Sequence, residues 1–257
     1  MNNRLRPLFK IAIAIVFFGC SQITHSQDNK EKILFVGNSF TYFNNMPQMV
    51  EAMARAEGDA LLTRQSTVGG SNLMQHLKAE NGTKTQRMLD STAWDIVILQ
   101  DHSVSTIEDP KRFQEAVTGL VEQVNSKKGK PVLSMTWSYI NNPLMQSTIS
   151  AAYEKAGKEL NLPVVPVGNV FMKARELRPD LDMYFDDKHP STEASYLIAL
   201  TFYKYLTGKS VMHIPTRLMT QDIHGDMLYL CFILPSDAAF LKQLVEEYDM
   251  PIANMKK

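Results

Sequence analysis

Short apolar runs alternate along this chain with longer segments of helical periodicity, and this alternation constrains the fold more than any other feature. The clearest apolar run covers 95–99 (Asp-Ile-Val-Ile-Leu) and is followed by a helix-like segment over 110–125. A continuous apolar run of this length is typical of a parallel strand that is buried on both faces. Strands that alternate with helices predict a parallel sheet covered by helices on both sides.

Strands and helices also alternate through the rest of the chain. They are predicted to form one domain over 30–257. Strands are predicted over 33–36, 60–63, 95–99, 131–135 and 163–167, the last one short because of its prolines. Helices are predicted over 46–54, 110–125, 143–160 and 194–206, and a fifth begins at Pro235 after an extended piece at 228–233. The predicted fold is a three-layer α/β/α sandwich with a five-stranded, mostly parallel, flavodoxin-like sheet.

Composition narrows the class of protein. Hydrophobic residues make up 44% of the chain and charged residues 21%, as in ordinary globular proteins. Lysine plus arginine and aspartate plus glutamate both number 27. Because the chain has no excess of positive charge, we expect no nucleic-acid partner.

The N-terminal segment has the pattern of an export signal. Three basic residues precede an apolar stretch over 11–18 that is too short to span a bilayer. Small residues before Gln27 predict a signal peptide over 1–26, whereas Gly19 and Cys20 also fit a lipoprotein signal that ends before a lipidated Cys20. We therefore expect a periplasmic, outer-surface or secreted protein, with membrane contact only through that anchor. Cys231, within an apolar run, is expected to be a buried unpaired thiol.

Side chains able to do chemistry follow the predicted strands. Ser39 comes after the first strand, a pair of glycines after the second, Gln100 after the third and Trp137 after the fourth. The segment from Asp186 to His189 follows the fifth strand and its short helix. The carboxyl ends of parallel strands meet at one edge of a sheet, where open α/β proteins place their sites.

A serine, a histidine and an aspartate together point to nucleophilic catalysis. A serine hydroxyl attacks poorly until a base removes its proton, and an imidazole base works best when a carboxylate fixes its tautomer. Asp186 and His189 stand three residues apart on one loop and supply that pair. Asp187 is the competing carboxylate, but adjacent residues of an extended loop point in different directions. Because the ring must be neutral to act as a base, we expect activity to fall in mild acid.

Three blocks of the sequence resemble the SGNH/GDSL hydrolases. Gly37-Asn38-Ser39-Phe40-Thr41 is similar to their first block, Val68-Gly69-Gly70-Ser71-Asn72 to their glycine block, and Asp186-Asp187-Lys188-His189-Pro190 to their Asp-x-x-His block. The blocks follow the order of the family and the likeness spans about 33–209. It implies the SGNH fold, Ser39 as the nucleophile, His189 as the base and Asp186 as its orienting residue. The implied oxyanion hole uses the N–H groups of Ser39 and Gly70.

The third block departs from the family pattern. The usual Gly-x-Asn-Asp is replaced by Leu99-Gln100-Asp101-His102-Ser103, which has no asparagine. Some carbohydrate-esterase branches of the superfamily have glutamine in this block, so Gln100 is predicted to be the third oxyanion donor, and His102 is the alternative. Trp137 could stack on a sugar ring or could simply pack in the interior.

The implied function is hydrolysis of a small acyl ester, and an O-acetyl group on a glycan fits the predicted export. The alternative is a non-catalytic glycan-binding protein that lost turnover through its altered third block; a phosphodiesterase is a more distant option. The resemblance implies no cofactor. The histidines and nearby aspartates match no common metal-ligand spacing; they are His76, His102, His213 and His224, with Asp101 and Asp226.

Overall fold

The computed structural model of this protein describes residues 30–253. The predicted signal peptide over 1–26 and the lipidation candidate Cys20 lie outside the described residues and stay predictions. The strands are β1 (Glu31–Gly37), β2 (Leu61–Thr67), β3 (Ile96–Leu99), β4 (Lys130–Ser134), β5 (Val164–Val165), β6 (Arg217–Gln221) and β7 (Met227–Phe232). No helix in the described part of the chain is long and apolar enough to cross a membrane.

Short helices lie next to the strand ends, and longer ones cover the sheet. The short ones are α1 (Ser39–Tyr42), which continues into a 3₁₀ turn (Phe43–Asn45), α3 (Leu73–Lys78), α4 (Thr85–Ser91) and α5 (Ser105–Glu108). The longer ones are α2 (Met46–Ala56), α6 (Pro110–Ser126), α7 (Met145–Leu160), α8 (Val167–Leu177), α9 (Thr192–Thr207) and α10 (Pro235–Glu247).

The central sheet has the order β2-β1-β3-β4-β5, and every pairing in it is parallel. This confirms the predicted α/β sandwich with a five-stranded flavodoxin-like sheet. The chain leaves β1 to form β2 on one side and then returns to form β3 on the other. The carboxyl ends of β1 and β3 therefore flank the point at which the strand order reverses, where such sheets bind ligands.

Alternation along the inner strands divides the core into two layers. Ile33 and Phe35 of β1 pack with α2, α8, α9 and α10, whereas Leu34 and Val36 pack with α3, α6 and α7. Successive side chains of a strand point to opposite faces, so a fully apolar strand serves both layers. Burial on both faces explains why the β1 and β3 sequences are continuously hydrophobic.

The C-terminal region differs from the prediction. The extended piece expected at 228–233 is strand β7, and it pairs antiparallel with β6, a strand that was not predicted. The two form a separate hairpin outside the central sheet. β6 has only one buried residue, Leu218, so its sequence lacks the apolar run by which the other strands were recognised. Cys231 on β7 is unpaired and buried, as expected.

Candidate active site

Ser39 is placed by the end of β1. Asn38 directly follows the strand, and its side-chain oxygen accepts a hydrogen bond from the N–H of Phe40, which caps helix α1. Ser39 is the first residue of that helix. The strand therefore ends and a helix begins at the serine, and its hydroxyl lies at the carboxyl edge of the sheet next to the switch point between β1 and β3.

Two short hydrogen bonds connect Ser39, His189 and Asp186. The Oγ of Ser39 lies 2.9 Å from Nε2 of His189. Nδ1 of the same ring lies 2.7 Å from Oδ2 of Asp186. The structure thus brings together three side chains from two segments that are about 150 residues apart in the sequence.

The hydrogen-bond partners of Asp186 determine which nitrogen of His189 carries the proton. Partial burial raises the pKa of Asp186, but hydrogen bonds from the backbone N–H and the ring of His189, and from the N–H of Lys188, outweigh it and hold the pKa well below its usual value. Asp186 is therefore an acceptor only, and Nδ1 must carry the ring proton. Nε2 is left with its lone pair toward the hydroxyl of Ser39, which is the tautomer that a general base needs.

The loop that carries the histidine is closed by its own backbone. The N–H of Phe185 donates to the carbonyl of His189 at 2.8 Å, and Asp186 accepts from the N–H groups of Lys188 and His189 through Oδ1. The carbonyl of Asp187 accepts from the N–H of Ile140 at 2.9 Å. Asp186, and not Asp187, is therefore the carboxylate against the ring.

Trp137 packs beneath this loop, so of its two predicted roles, stacking on a sugar and packing in the interior, the structure shows the second. Its side chain is 2% exposed, and its ring is stacked between Phe40 at 4.2 Å and Phe171 at 4.9 Å. A sugar cannot reach either face. The indole N–H instead donates to the carbonyl of Lys188 at 2.9 Å, so Trp137 ties the loop of His189 to the core.

Aromatic rings also contact the imidazole directly. Phe43 is stacked on His189 with ring centroids 4.4 Å apart and planes 9° apart, and Phe40 meets the same ring edge-on at 6.0 Å. These contacts keep the plane of the imidazole fixed. A phenyl face also attracts a positive charge, so Phe43 stabilises the imidazolium that forms when the ring takes a proton.

Asn44 connects the segment of the serine to the segment that follows the histidine. Its side-chain amide donates to the carbonyls of Pro190 and Ser191 at 3.3 and 3.1 Å and lies 2.9 Å from the hydroxyl of Ser195. Both Asn44 and Asn45 are left-handed, with φ of 51° and 54°. Asparagine tolerates this conformation better than most residues. Asn45 stands at the N-terminal cap of α2, but its side chain makes no capping hydrogen bond.

The glycine block forms a tight turn beside the serine. The N–H of Ser71 donates to the carbonyl of Val68, and Gly70 has φ of 69°, which suits the third position of a type II turn. Val68 in turn donates to the carbonyl of Gly37 at 3.3 Å. Within the described residues, the N–H groups of Ser39 and Gly70 donate to no other protein atom. Two free N–H groups beside a serine can receive an anion.

The assignment of Gln100 as the third oxyanion donor is contradicted by the structure. Its side chain is 4% exposed, and its amide nitrogen donates to the carbonyl of Asp101. Its oxygen accepts from the N–H of Asn38 at 3.2 Å and from the hydroxyl of Thr41 at 2.8 Å. The opposite orientation of the amide would set donor against donor and acceptor against acceptor. Gln100 therefore supports the serine segment from behind.

Gln100 also explains the glycine of the first block. A Cβ on Gly37 would lie 2.5 Å from Oε1 of Gln100 and 2.5 Å from Oγ1 of Thr41. Only glycine allows the amide to approach the end of β1 this closely. The first and third blocks therefore pack against each other through this contact. Gln100 stands where the family has asparagine, and in this chain its role is structural.

Asn38 and His76 join the first block to the glycine block. The amide of Asn38 donates to the carbonyl of Ser71 at 2.8 Å. His76 is fully buried, with Nε2 2.9 Å from both the carbonyl of Gly37 and the hydroxyl of Ser71, and Nδ1 2.7 Å from the hydroxyl of Thr85. Burial lowers the pKa of His76 to about 4, although the bond to the carbonyl of Gly37 opposes this. A neutral His76 thus ties both blocks together.

His102, the alternative oxyanion donor, lies elsewhere. It borders a cavity of about 110 Å³ together with Asn72 and Asp101, and neither Ser39 nor Gly70 lines that cavity. Asp101 is buried and accepts at 2.7 Å from the N–H groups of His102 and Leu73, which fixes the start of α3. Across residues 30–253 no three metal-binding side chains gather in one place.

Comparison with known proteins places the fold. No family model matches the chain, and no curated protein matches it. Among solved structures, a protein from Slackia heliotrinireducens that is proposed to be an SGNH hydrolase is 29% identical, with a TM-score of 0.58 over 68% of this chain and 98% of its own. This chain has the SGNH hydrolase fold.

Two further solved structures are similar to this chain in fold. A DUF4886 family protein from Bacteroides uniformis is 19% identical, with a TM-score of 0.68 over 85% of this chain and 94% of its own. An acetyl xylan esterase is 13% identical, with a TM-score of 0.58 over 67% of this chain and 98% of its own. Identities this low speak for the fold alone. The likeness to the Slackia heliotrinireducens protein confirms the resemblance to the SGNH/GDSL hydrolases that was inferred from the three blocks.

Several groups that build the site were not recognised in the sequence. Phe43, Asn44 and Phe185 flank the blocks but belong to no motif, and His76 was weighed only as a metal ligand. One signal was available. Asn44 and Asn45 stand together before Pro47, and paired asparagines favour left-handed turns.

Proposed function

We propose that this protein hydrolyses esters, with Ser39 as the nucleophile, His189 as general base and then general acid, and Asp186 as the group that orients the ring. One observation carries the proposal: the unbroken pair of hydrogen bonds from Ser39 Oγ to His189 at 2.9 Å and from His189 to Asp186 at 2.7 Å. Activation of a serine needs this arrangement, and a structural role for an exposed Asp-His loop does not.

In the first half-reaction, Oγ of Ser39 bonds to the acyl carbon while Nε2 of His189 takes its proton. The carbonyl electron pair moves onto oxygen, and the N–H groups of Ser39 and Gly70 stabilise the resulting oxyanion. His189 then gives the proton to the alcohol oxygen as the carbon–oxygen bond breaks. A water molecule, deprotonated by the same ring, releases the acid from Ser39 in the second half. No step requires a metal or an organic cofactor.

For the substrate, we propose a small acyl ester, with an O-acetyl group on a glycan as the best candidate. The likeness in fold to an acetyl xylan esterase and the predicted export of the chain support this choice. We further propose that Gly70, rather than Gly69, supplies the second backbone donor, because its N–H is the central one of the turn and has no protein partner.

The experiment compares release of p-nitrophenol from p-nitrophenyl acetate by the wild-type protein and by Ser39→Ala. We expect the substitution to lower kcat by at least about 10³-fold, as removal of a catalytic serine does elsewhere. Ser91→Ala is the matched control, because Ser91 is an exposed serine whose hydroxyl bonds only to a backbone carbonyl. Equal rates for the wild type and Ser39→Ala would favour the non-catalytic glycan-binding alternative.

A further inference from the structure

Phe185 is a large apolar side chain that the fold leaves uncovered at the site. It is 73% exposed, although its backbone is fixed by the hydrogen bond to the carbonyl of His189. Single exposed apolar side chains are common and by themselves indicate nothing. Phe185 differs because its ring lies 5.8 Å from Phe43, which is itself stacked on the ring of His189.

The orientation of the ester in the site determines which part of the substrate contacts Phe43 and Phe185. The acyl oxygen must point toward the N–H groups of Ser39 and Gly70. The alcohol oxygen must lie near Nε2 of His189, because that nitrogen gives it a proton. The alcohol half of an ester therefore extends along the histidine side of the site, where Phe43 and Phe185 lie.

The chemistry of this surface favours a neutral ring. Phe43 and Phe185 meet at an angle of 55° and form an angular apolar wall, against which a flat apolar face can pack. Two carboxylates, Asp186 and Asp187, follow directly in the chain and disfavour an anionic alcohol. The ammonium of Lys188 lies over the ring of Tyr139, 5.6 Å from its centroid.

Given the proposed function, we propose that Phe43 and Phe185 form the subsite for the alcohol half of the ester, and that this alcohol is a neutral ring such as a pyranoside. The C–H-rich face of the sugar stacks on Phe185. Phe43 has two contacts, one to the substrate and one to the catalytic ring. Trp137, for which stacking on a sugar was one of two predicted roles, instead holds the loop that carries Phe185.

The test uses two neutral substrates with three acetyl groups each, one cyclic and one acyclic: methyl tri-O-acetyl-xylopyranoside and glycerol triacetate. Release of acetate gives kcat/KM for both. We expect Phe185→Ala to lower kcat/KM about tenfold for the pyranoside and less than about twofold for glycerol triacetate. Phe185→Tyr keeps the ring and should restore the preference. Ile223→Ala is the control, because Ile223 is an apolar side chain that is 94% exposed in the turn between β6 and β7.

The outcomes separate the subsite from the reaction itself. If Phe185→Ala lowers kcat/KM equally for both substrates, or for neither, the subsite is overturned while the esterase stands. If Ser39→Ala retains the turnover of both substrates, the proposed function is overturned. Loss of the cyclic preference in Phe185→Ala and its return in Phe185→Tyr support the subsite.

Discussion

The segments around Ser39 are held together by buried side chains, whereas the loop that carries His189 is more exposed and is closed by hydrogen bonds from its own N–H groups. On the serine side, Asn38, His76 and Gln100 are each buried and each bond across at least two blocks. On the histidine side, the side chain of Asp186 is 40% exposed, and the bonds that close the loop run from backbone N–H groups to the carbonyl of His189 and to the carboxylate of Asp186.

This contrast teaches how stability and activity are distributed in the site. Buried polar groups are costly to leave without partners, so a change on the serine side should weaken the fold and the reaction together. On the more exposed histidine side, a substitution that keeps the Oδ1 acceptor of Asp186 leaves the bonds that close the loop in place, so it should affect the reaction alone. The following predictions are ordered from the largest expected effect to the smallest.

Asp186→Asn should give the largest effect, and it should fall on activity. An amide in place of the carboxylate favours the tautomer that carries its proton on Nε2, which cannot accept the proton of Ser39. We expect kcat to fall about 10³–10⁴-fold, with little change in the midpoint of thermal unfolding. Asp187→Asn is the matched control and should retain activity. If the two variants are equally active, Asp186 does not orient the ring.

Asn38→Ala should destabilise the fold through the serine side. It removes the cap of α1 and leaves the buried carbonyl of Ser71 without its partner. Together these should lower the free energy of unfolding by about 2–4 kcal/mol in chemical denaturation. Asn72→Ala, at a half-buried position, removes only the capping bond that the side chain of Asn72 accepts from the N–H of Gln75, and should lose about 1 kcal/mol. Equal losses would show that the bond between the blocks contributes nothing.

His76 should make stability depend on pH. Its pKa is lowered to about 4 in the folded protein, so between that value and its unfolded pKa of 6.5 only the unfolded chain binds the proton. The free energy of unfolding is therefore not reduced by this group above pH 6.5, and it falls as the pH drops from 6.5 toward 4. The loss should approach about 3 kcal/mol near pH 4.

Chemical denaturation at about pH 7 and about pH 4.5 measures this dependence. His76→Gln, at a buried position, should remove the part of the pH dependence of the unfolding free energy that His76 causes. His102→Gln, at a half-buried position, should keep it. Identical slopes for the wild type and His76→Gln would mean that folding does not lower the pKa of His76.

Asn44→Gly tests the link between the two sides and should have the smallest effect. Glycine relieves the left-handed backbone but removes the bonds to the carbonyls of Pro190 and Ser191. We expect unchanged stability and a kcat about tenfold lower, because the serine and the histidine lose their fixed spacing. Asn44→Asp tolerates the same backbone but sets a carboxylate against two carbonyls, and should be less stable. An unchanged kcat in Asn44→Gly would contradict the link.

The sequence predicted the parts of the molecule that have a local signal. Continuous apolar runs revealed β1 and β3, and helical stripes revealed α6 and α9, because their burial is set by periodicity. The geometry around Ser39 and His189 agrees with the order of the three blocks. β6 was missed because a mostly exposed strand of a hairpin has no apolar run, and its pairing with β7 is a tertiary feature.

The two residues for which a predicted role differs from the structure, Gln100 and Trp137, have a different explanation. The role of Gln100 was inferred from the family resemblance, and the possible role of Trp137 from its residue type and its position after a strand. Neither signal shows which way a side chain points. Both side chains are buried in the structure. The amide of Gln100 accepts from the N–H of Asn38, and the ring of Trp137 is stacked between Phe40 and Phe171. Phe185 is the converse, an apolar residue that the fold leaves exposed.

The central claim is that His189, held by Asp186, makes the hydroxyl of Ser39 nucleophilic. Reaction with a fluorophosphonate, followed by mass spectrometry of the modified peptide, tests it directly, since the reagent modifies activated serines. We expect one adduct, on Ser39, in the wild-type protein, and its loss in His189→Ala with the fold retained. An unmodified Ser39 in the wild type, or equal modification in both proteins, would contradict the account.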